Sequence, residues 1–389
     1  MKILITDGEG RSSLAATRSL GKKGHDIFVT GLRRKTISSQ SRYCSKGIHV
    51  PDSSVDCLVY AQIICEITIR EGIDIILPMT EQSIYALNPI RLQLPENVIL
   101  ACPESDKITA LSDKVKLYQL AEKLGIAIPK TLYLENEKSL PALIGQIKSF
   151  PVVIKPSLSR VAVDGGFLKT TVTYARSVHE LEKQYAGNPA LAFPSMVQEK
   201  IVGPGTGLFS LYDKNQHLAV FSHQRLREKP PSGGVSVVSA SVPLDKEMVM
   251  VSDKLLRSVN WSGVAMIEFK RDVRDGRAKL MEVNGRFWGT LQLAISCGVD
   301  FPALLVDYLQ GKKIHPMQSN YKTGHEMKWI LGLLDHFLIL LKNREMRKNA
   351  FVSDVFKRDA SFDVFDSNDI APFVWELREY LGSLWLKKK

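Results

Sequence analysis

Gly263-Val-Ala-Met-Ile-Glu268-Phe-Lys-Arg-Asp272, the turn Val273-Arg-Asp275-Gly276-Arg277, and Ala278-Lys-Leu-Met-Glu282-Val-Asn284-Gly-Arg286 read as one β-hairpin. Both arms alternate apolar and polar residues with the period of half-buried strands, and Asp275-Gly276 is a strong hairpin-turn pair. Alternation puts Val264, Met266 and Glu268 on one face of the first arm, and Leu280, Glu282 and Asn284 on one face of the second. Folding about Asp275-Gly276 sets Glu268 opposite Glu282, to within about one residue of register. Directly opposed like charges destabilise a sheet. Two such carboxylates with an amide oxygen two residues on make sense around a hard cation. Oxygen donors suit Mg²⁺, with Mn²⁺ as the alternative; both also take substrate phosphates and water. By itself, the hairpin could equally be an exposed ribbon with its glutamates in solvent beside Lys270, Arg271 and Lys279.

The 389 residues suffice for two or three domains, and their composition is that of an ordinary globular protein. A formal net charge of +11 favours anionic partners. The basic residues are spread along the chain rather than gathered in an arm or a stripe interleaved with aromatics, which argues against nucleic acid as a partner. The five cysteines show no paired spacing and fit a reducing cytoplasm. The amino-terminal strand pattern is broken too early by Asp7 and Gly8 to be a signal peptide, and no apolar run is long enough for a transmembrane helix. Met327 to Leu341, interrupted by Asp335 and His336, reads as a buried helix.

Lys2 to Thr6 reads as a strand, Asp7-Gly-Glu-Gly10 as a turn, Ser12 to Lys23 as a helix and Asp26 to Thr30 as a second strand. This βαβ opening could hold an anion at its helix start, although Gly8 and Gly10 without a third glycine do not complete a dinucleotide fingerprint. A helix over 55–71, a strand at 73–78 and a cap at Thr80-Glu-Gln-Ser83 repeat the alternation, which implies a parallel sheet with Ser12, Thr80 and Glu81 along its ligand-binding edge. Phe150 to Pro156 is a short apolar strand that delivers Lys155 at its end, as either a solvated strand end or a phosphate clamp. Ser157 to Gly166 has the small residues of a phosphate-closing loop but no clear glycine run. Gln198 to Gly205 is a strand entering a Gly/Pro turn, fit either to present Glu199 to a nucleotide or to act as a plain hinge. Arg225 and Arg227 alternate onto one face, next to Ser232-Gly233-Gly234; guanidinium forks and small-residue amides at one place favour an anion pocket. The 78 residues after Gly311 look helical and irregular, and Lys387 to Lys389 read as a solvated tail.

The order Asp113-Lys114, Val153-Ile-Lys155-Pro, Gln198-Glu199-Lys200-Ile201, Glu268 and Glu282-Val-Asn284-Gly-Arg286 resembles the ATP-grasp superfamily, in the branch of carbamoyl-phosphate synthase large-subunit and biotin carboxylase domains. The Arg225 to Gly234 stretch looks more like the stand-alone carboxylate–amine ligases of that branch. The resemblance spans roughly residues 1–311. It implies an α/β and α+β architecture: a Rossmann-like domain over 1–102, an ATP-grasp domain over 103–311 and a helical C-terminal extension over 312–389. Within the ATP-grasp domain it implies a small lid subdomain over about 130–200 and a metal and substrate subdomain over about 201–311.

Carried over residue by residue, the resemblance implies that Lys114 and Lys155 contact phosphates. Glu199, Lys200 and Ile201 would form the adenine and ribose hinge, and Glu268, Glu282 and Asn284 would hold Mg²⁺. Arg286 would steady an acyl phosphate, while Arg225, Arg227, Ser232, Gly233 and Gly234 would bind the substrate carboxylate. The implied activity joins a small-molecule carboxylate to an amine or thiol through an acyl phosphate, with ATP and Mg²⁺ as cofactors. A homodimer is common among such relatives. A bicarbonate-using carboxylase or carbamoyl-phosphate type of enzyme, or a nucleotide-binding protein without turnover, are the alternatives.

Overall fold

The computed structural model describes residues 1–163, 166–231, 233–314, 319–343 and 360–386. Ser232, the tail from Lys387, and Asp164-Gly165 of the small-residue loop lie outside them.

β1 (Lys2–Ile5), β2 (Asp26–Gly31), β3 (Lys46–His49), β4 (Ile75–Leu77) and β5 (Ile99–Leu100) form a parallel sheet in the order β3-β2-β1-β4-β5. The continuous apolar run Ile3-Leu4-Ile5 is the pattern of a strand covered on both faces. Ile3 and Ile5 face α1 (Arg11–Lys22), while Leu4 and Ile76 pack under the helix Cys57–Glu71. Thr80 caps the next helix in a reciprocal capping box with Ser83. The turn leading into α1 is tight: a Cβ on Gly8 would meet Val29 and Thr36 side-chain atoms at 2.5 Å. A cavity of about 330 Å³ opens at this edge of the sheet beside Ser12 and Thr80.

A second sheet comprises β6 (Thr131–Leu134), β7 (Val152–Pro156), β10 (Thr173–Ala175) and β11 (Ser195–Glu199) in the antiparallel order β10-β7-β11-β6, with the hairpin β8 (Arg160–Val163) and β9 (Gly166–Lys169) beside it. It has its own small core of Leu134, Val152, Ile154 and Leu181.

The third sheet is the largest. β12 (Gly205–Asp213), β13 (Gln216–Lys229), β14 (Val235–Ser241), β15 (Gly263–Arg271), β16 (Ala278–Asn284), β17 (Glu326–Lys328) and β18 (Ala360–Phe362) run in the order β16-β15-β12-β13-β14-β17-β18. One of its faces shares a core with the first sheet, where Phe209, Phe221 and Trp288 meet Ile3 and Ala16. The other face packs on Leu117, Leu256 and Trp261.

The C-terminal segment is mainly helical, with helices Ile330–Lys342 and Ala371–Leu386, and it adds the three-residue strands β17 and β18 to the large sheet. The helix expected over 327–341 starts later: Met327 and Lys328 belong to β17, and the helix Ile330–Lys342 has one buried side, Leu331, Leu333 and Phe337, and an exposed side, Leu338 and Leu341. Among the described residues no helix is long and apolar enough to cross a membrane.

This segment folds back onto α1. The Asp369 carboxylate accepts from Arg18 Nε at 2.8 Å, Ser41 Oγ at 2.7 Å and Arg42 N at 2.8 Å, and Arg18 Nη2 donates to Val364 O and Asp369 O at 2.9 Å. Burial raises the Asp369 pKa, but the Arg18 guanidinium, the Arg42 N–H and the Ser41 hydroxyl outweigh it and hold the group below its ordinary value. Breaking a buried pair leaves an uncompensated charge, so Asp369→Ala should lower unfolding free energy by about 3–5 kcal/mol in urea titrations at pH 7. A depressed carboxylate contributes stability that is complete above its unfolded pKa and drains as pH falls through its folded one. The gap between wild type and Asp369→Ala should therefore narrow as pH falls below about 4.

Candidate active site

The hairpin forms as the alternation requires, with Glu268 paired to Glu282 and Met266 to Asn284. One detail corrects the sequence reading. A bulge at Met281 pairs Phe269 with Leu280, which reverses the parity of the second arm below Glu282. Leu280 therefore joins Ala278 and Val283 in the core and does not share a face with Glu282. The Met281 carbonyl at the bulge accepts the Tyr118 hydroxyl at 2.8 Å. Past the strand, Gly285 runs close to Trp261: a Cβ there would meet the indole at 2.5 Å, so the backbone passes low and delivers Arg286 to the cleft.

Glu268, Glu282, Asn284, Arg286 and Arg225 line one cavity of about 230 Å³. Arg225 pairs with Glu268 and reaches Glu228 at 3.3 Å. The Asn284 amide nitrogen donates to Glu282 at 3.0 Å, while its oxygen accepts from Arg286 Nη2 at 3.0 Å; Arg286 Nη1 donates to Phe287 O at 2.9 Å. Burial, helped by Glu282 and opposed by Arg225, pushes Glu268 up to about 7. Glu282 goes the other way: burial raises it, but Lys114, the Asn284 amide, Lys155 and Arg225 together hold it below its ordinary value. The two carboxylates thus titrate as a pair, with the proton favoured on Glu268.

Lys155 ends β7 with Nζ 3.2 Å from the Tyr118 hydroxyl, and burial brings its ammonium down to about 8 against the pull of Glu282 and Glu268. His223, beneath the cavity, is pushed down to about 3 by burial and is neutral at physiological pH; its Nδ1 lies 3.2 Å from Thr290 Oγ1.

Among the described residues no group of three or more His, Cys, Asp and Glu could hold a metal. Two opposed carboxylates and an amide oxygen are a partial set of hard donors. Such a set suits Mg²⁺, which keeps waters and completes its shell with substrate phosphates.

Of the other expected site residues, Gly234 lines the cavity and Lys114 acts on Glu282 by its charge, whereas Glu199, Lys200, Ile201, Arg227 and Gly233 are not among the residues lining it. Lys114 N donates to Ser157 O at 2.8 Å and its Nζ to Ser159 Oγ at 3.4 Å, so it tethers the loop between β7 and β8. Glu199 already uses both oxygens, accepting from Lys130 N at 3.0 Å and Arg274 Nη1 at 2.9 Å; Lys200 Nζ sits 5.5 Å above the Tyr174 ring, and Ile201 is buried. These three mark the crossing from the second sheet to the third. Arg227 does not share the cavity with Arg225. Register shifts on either side of it break the alternation, and its guanidinium lies 5.9 Å from the Phe337 ring. The Gly233 and Gly234 amides, expected to hold a carboxylate, instead donate to Pro230 O at 3.1 Å and Glu228 at 3.3 Å, because the loop closes on itself.

The sequence reading missed Tyr118, His223, Thr290 and Arg11. Arg11 had a signal, as the first helical residue after the Asp7 to Gly10 turn. Tyr118 had a weaker one, one turn beyond Lys114.

Comparison with known proteins agrees with this architecture. Residues 213–332 match a family described as ATP-grasp in the biosynthetic pathway with Ter operon. The chain is 25% identical to pyruvate carboxylase of Bacillus subtilis (strain 168) over 242 residues, which are 58% of this chain and 20% of that protein. It is 24% identical to D-aspartate ligase of Enterococcus faecium (strain Aus0004) over 197 residues, 48% of this chain and 47% of that protein. The chain thus spans less than half the length of either curated relative. Among solved structures, the ADP complex of an N5-carboxyaminoimidazole ribonucleotide synthetase superposes with a TM-score of 0.66 at 15% identity, covering 88% of this chain and 84% of that one. With a Rossmann-like parallel sheet, a small antiparallel sheet and a large sheet that carries the opposed glutamates, the chain has the fold of that synthetase, and within it residues 213–332 are similar to an ATP-grasp family.

Proposed function

We propose that the chain is an ATP- and Mg²⁺-dependent ligase that joins a small-molecule carboxylate to an amine or thiol. The observation that carries this reading is the convergence of Glu268, Glu282, Asn284, Arg286 and Arg225 on one cavity. Similarity to a protein named D-aspartate ligase supports the ligase class over a bare nucleotide-binding role.

Glu268, Glu282 and Asn284 would hold Mg²⁺, which when bound spreads the negative charge of the transferring phosphate. Lys155, and Lys114 through the loop it tethers, would neutralise the phosphates. Glu199 to Ile201, at the crossing between the two sheets, would take the adenosine end, with Arg274 releasing Glu199. A carboxylate oxygen of the substrate attacks the γ-phosphorus and the bond to the β-phosphate oxygen breaks, giving an acyl phosphate and ADP. The amine nitrogen then attacks the acyl carbon. The acyl C–O bond breaks, phosphate leaves and the amine proton passes to solvent. Arg286, fixed by Asn284 and the Phe287 carbonyl, supplies donors for the oxyanion of the second step. Catalysis is then positioning plus electrostatics, with no enzyme nucleophile. Free thiols at Cys44, Cys57, Cys65, Cys102 and Cys297 support a reducing cytoplasmic setting.

The test is Mg²⁺-dependent ADP release against pooled carboxylates and amines. Release that requires one acid and one amine is the expected result. Release driven by bicarbonate alone would replace the ligase with a carboxylase, and ATP binding without release under any pool would overturn turnover altogether.

A further inference from the structure

Arg11 lines the same cavity as Arg225 and Arg286, but it arrives from the start of α1 rather than from the large sheet. Its side chain is 12% exposed. Nη1 pairs with Asp363, whose carboxylate is fully buried just beyond β18. The guanidinium lies over the Trp329 ring at 4.1 Å, and Trp329 is itself tied through Nε1 to Glu376 at 2.8 Å. Nη2 stands 3.6 Å from where a Cβ on Gly289 would be, and Gly289 lines the cavity. One edge of the fork thus serves Asp363 and one face serves Trp329. Nη2 makes no hydrogen bond among the described residues.

Asp363 Oδ1 is buried and has no partner among the described residues. An unsatisfied buried oxygen costs stability, which suits a pair kept to place Arg11 more than to hold the fold. The other two arginines are turned toward the reacting end, Arg225 to Glu268 and Arg286 to Asn284. One carboxylate beside those two would leave the Arg11 Nη2 edge, which Asp363 does not use, without a substrate anion.

We propose, on the basis of the ligase reading above, that the acyl substrate carries two anionic groups. One is the carboxylate activated beside Arg286, and the other is bound by Arg11. Asp363 and Trp329 are positioning residues, so the C-terminal segment completes the substrate site. A guanidinium fork matches a carboxylate or phosphate, which makes dicarboxylates the first class to try.

The test gives the full chain MgATP and hydroxylamine, which traps acyl phosphates as hydroxamates. It compares succinate, aspartate and glutamate with propionate and alanine. A dicarboxylate should show a KM about tenfold or more below the monocarboxylates. Arg11→Ala should raise that KM about tenfold or more with kcat changed by less than about threefold, and should leave the KM for propionate unaltered. Asp363→Asn should reproduce the KM effect, and Arg11→Lys should restore part of it. Equal KM values for the two classes in wild type, or an unchanged dicarboxylate KM in Arg11→Ala, would overturn the proposal. If no acid yields a hydroxamate, the ligase reading fails by itself, and calorimetric titration of the MgADP-loaded protein with succinate and propionate decides the Arg11 site. A succinate preference lost in Arg11→Ala, or in Arg11→Lys should the first variant not fold, supports the site; equal or absent succinate binding in wild type overturns it.

Discussion

Glu282→Ala should lower Mg²⁺-dependent ADP release by about 10³-fold, since a lost metal position removes several kcal/mol of transition-state charge stabilisation. Glu282 faces Glu268 across the hairpin, and its charge is the one that Lys114, Lys155 and Arg225 hold ionised. Its removal would take away a proposed metal ligand and also leaves Lys155 without one of its two opposing carboxylates. Three observations check the origin of the loss. Mg²⁺ titration should move to higher concentration, far-UV circular dichroism should match wild type, and excess Mg²⁺ should recover only part of the rate. Activity within about tenfold of wild type, with an unmoved Mg²⁺ dependence, would take Glu282 out of the metal site.

Arg286→Ala is expected to cost about 10²- to 10³-fold in kcat, the usual penalty for removing one oxyanion donor, with KM for ATP moved little. The side chain is held by Asn284 Oδ1 and Phe287 O, so its placement does not depend on substrate. Lysine in its place should recover little, because a single ammonium nitrogen lacks the planar fork whose two nitrogens reach Asn284 and Phe287 separately. Steady-state kinetics with the identified acid check this. A loss confined to KM would make Arg286 a ground-state binding residue.

The hairpin and its opposed glutamates were legible because a period of two and an Asp-Gly turn leave little freedom of register. The bulge at Met281 was not, since one extra residue changes which side chains face the core without altering the local pattern of residue types. The same physics misplaced Arg227, where interruptions of the β13–β14 register lie between residues that look regular in sequence. The parallel sheet was readable from apolar strands alternating with helices, one of them announced by its cap at Thr80. β17 and β18, at three residues each, are too short to display a period. Arg11 escaped for a different reason. Its partners Trp329 and Asp363 are more than 300 residues away, and no local pattern announces a contact at that separation.

That separation also sets an order of events in the cell. Asp363 leaves the ribosome 352 residues after Arg11. At roughly 5–20 residues per second, α1 waits on the order of 20–70 s for the segment that fixes its first side chain and buries Arg18. During that interval the N-terminal sheet can assemble from its own strands, but the site stays incomplete. A nascent chain would therefore hold an unfinished cleft until Asp363 emerges.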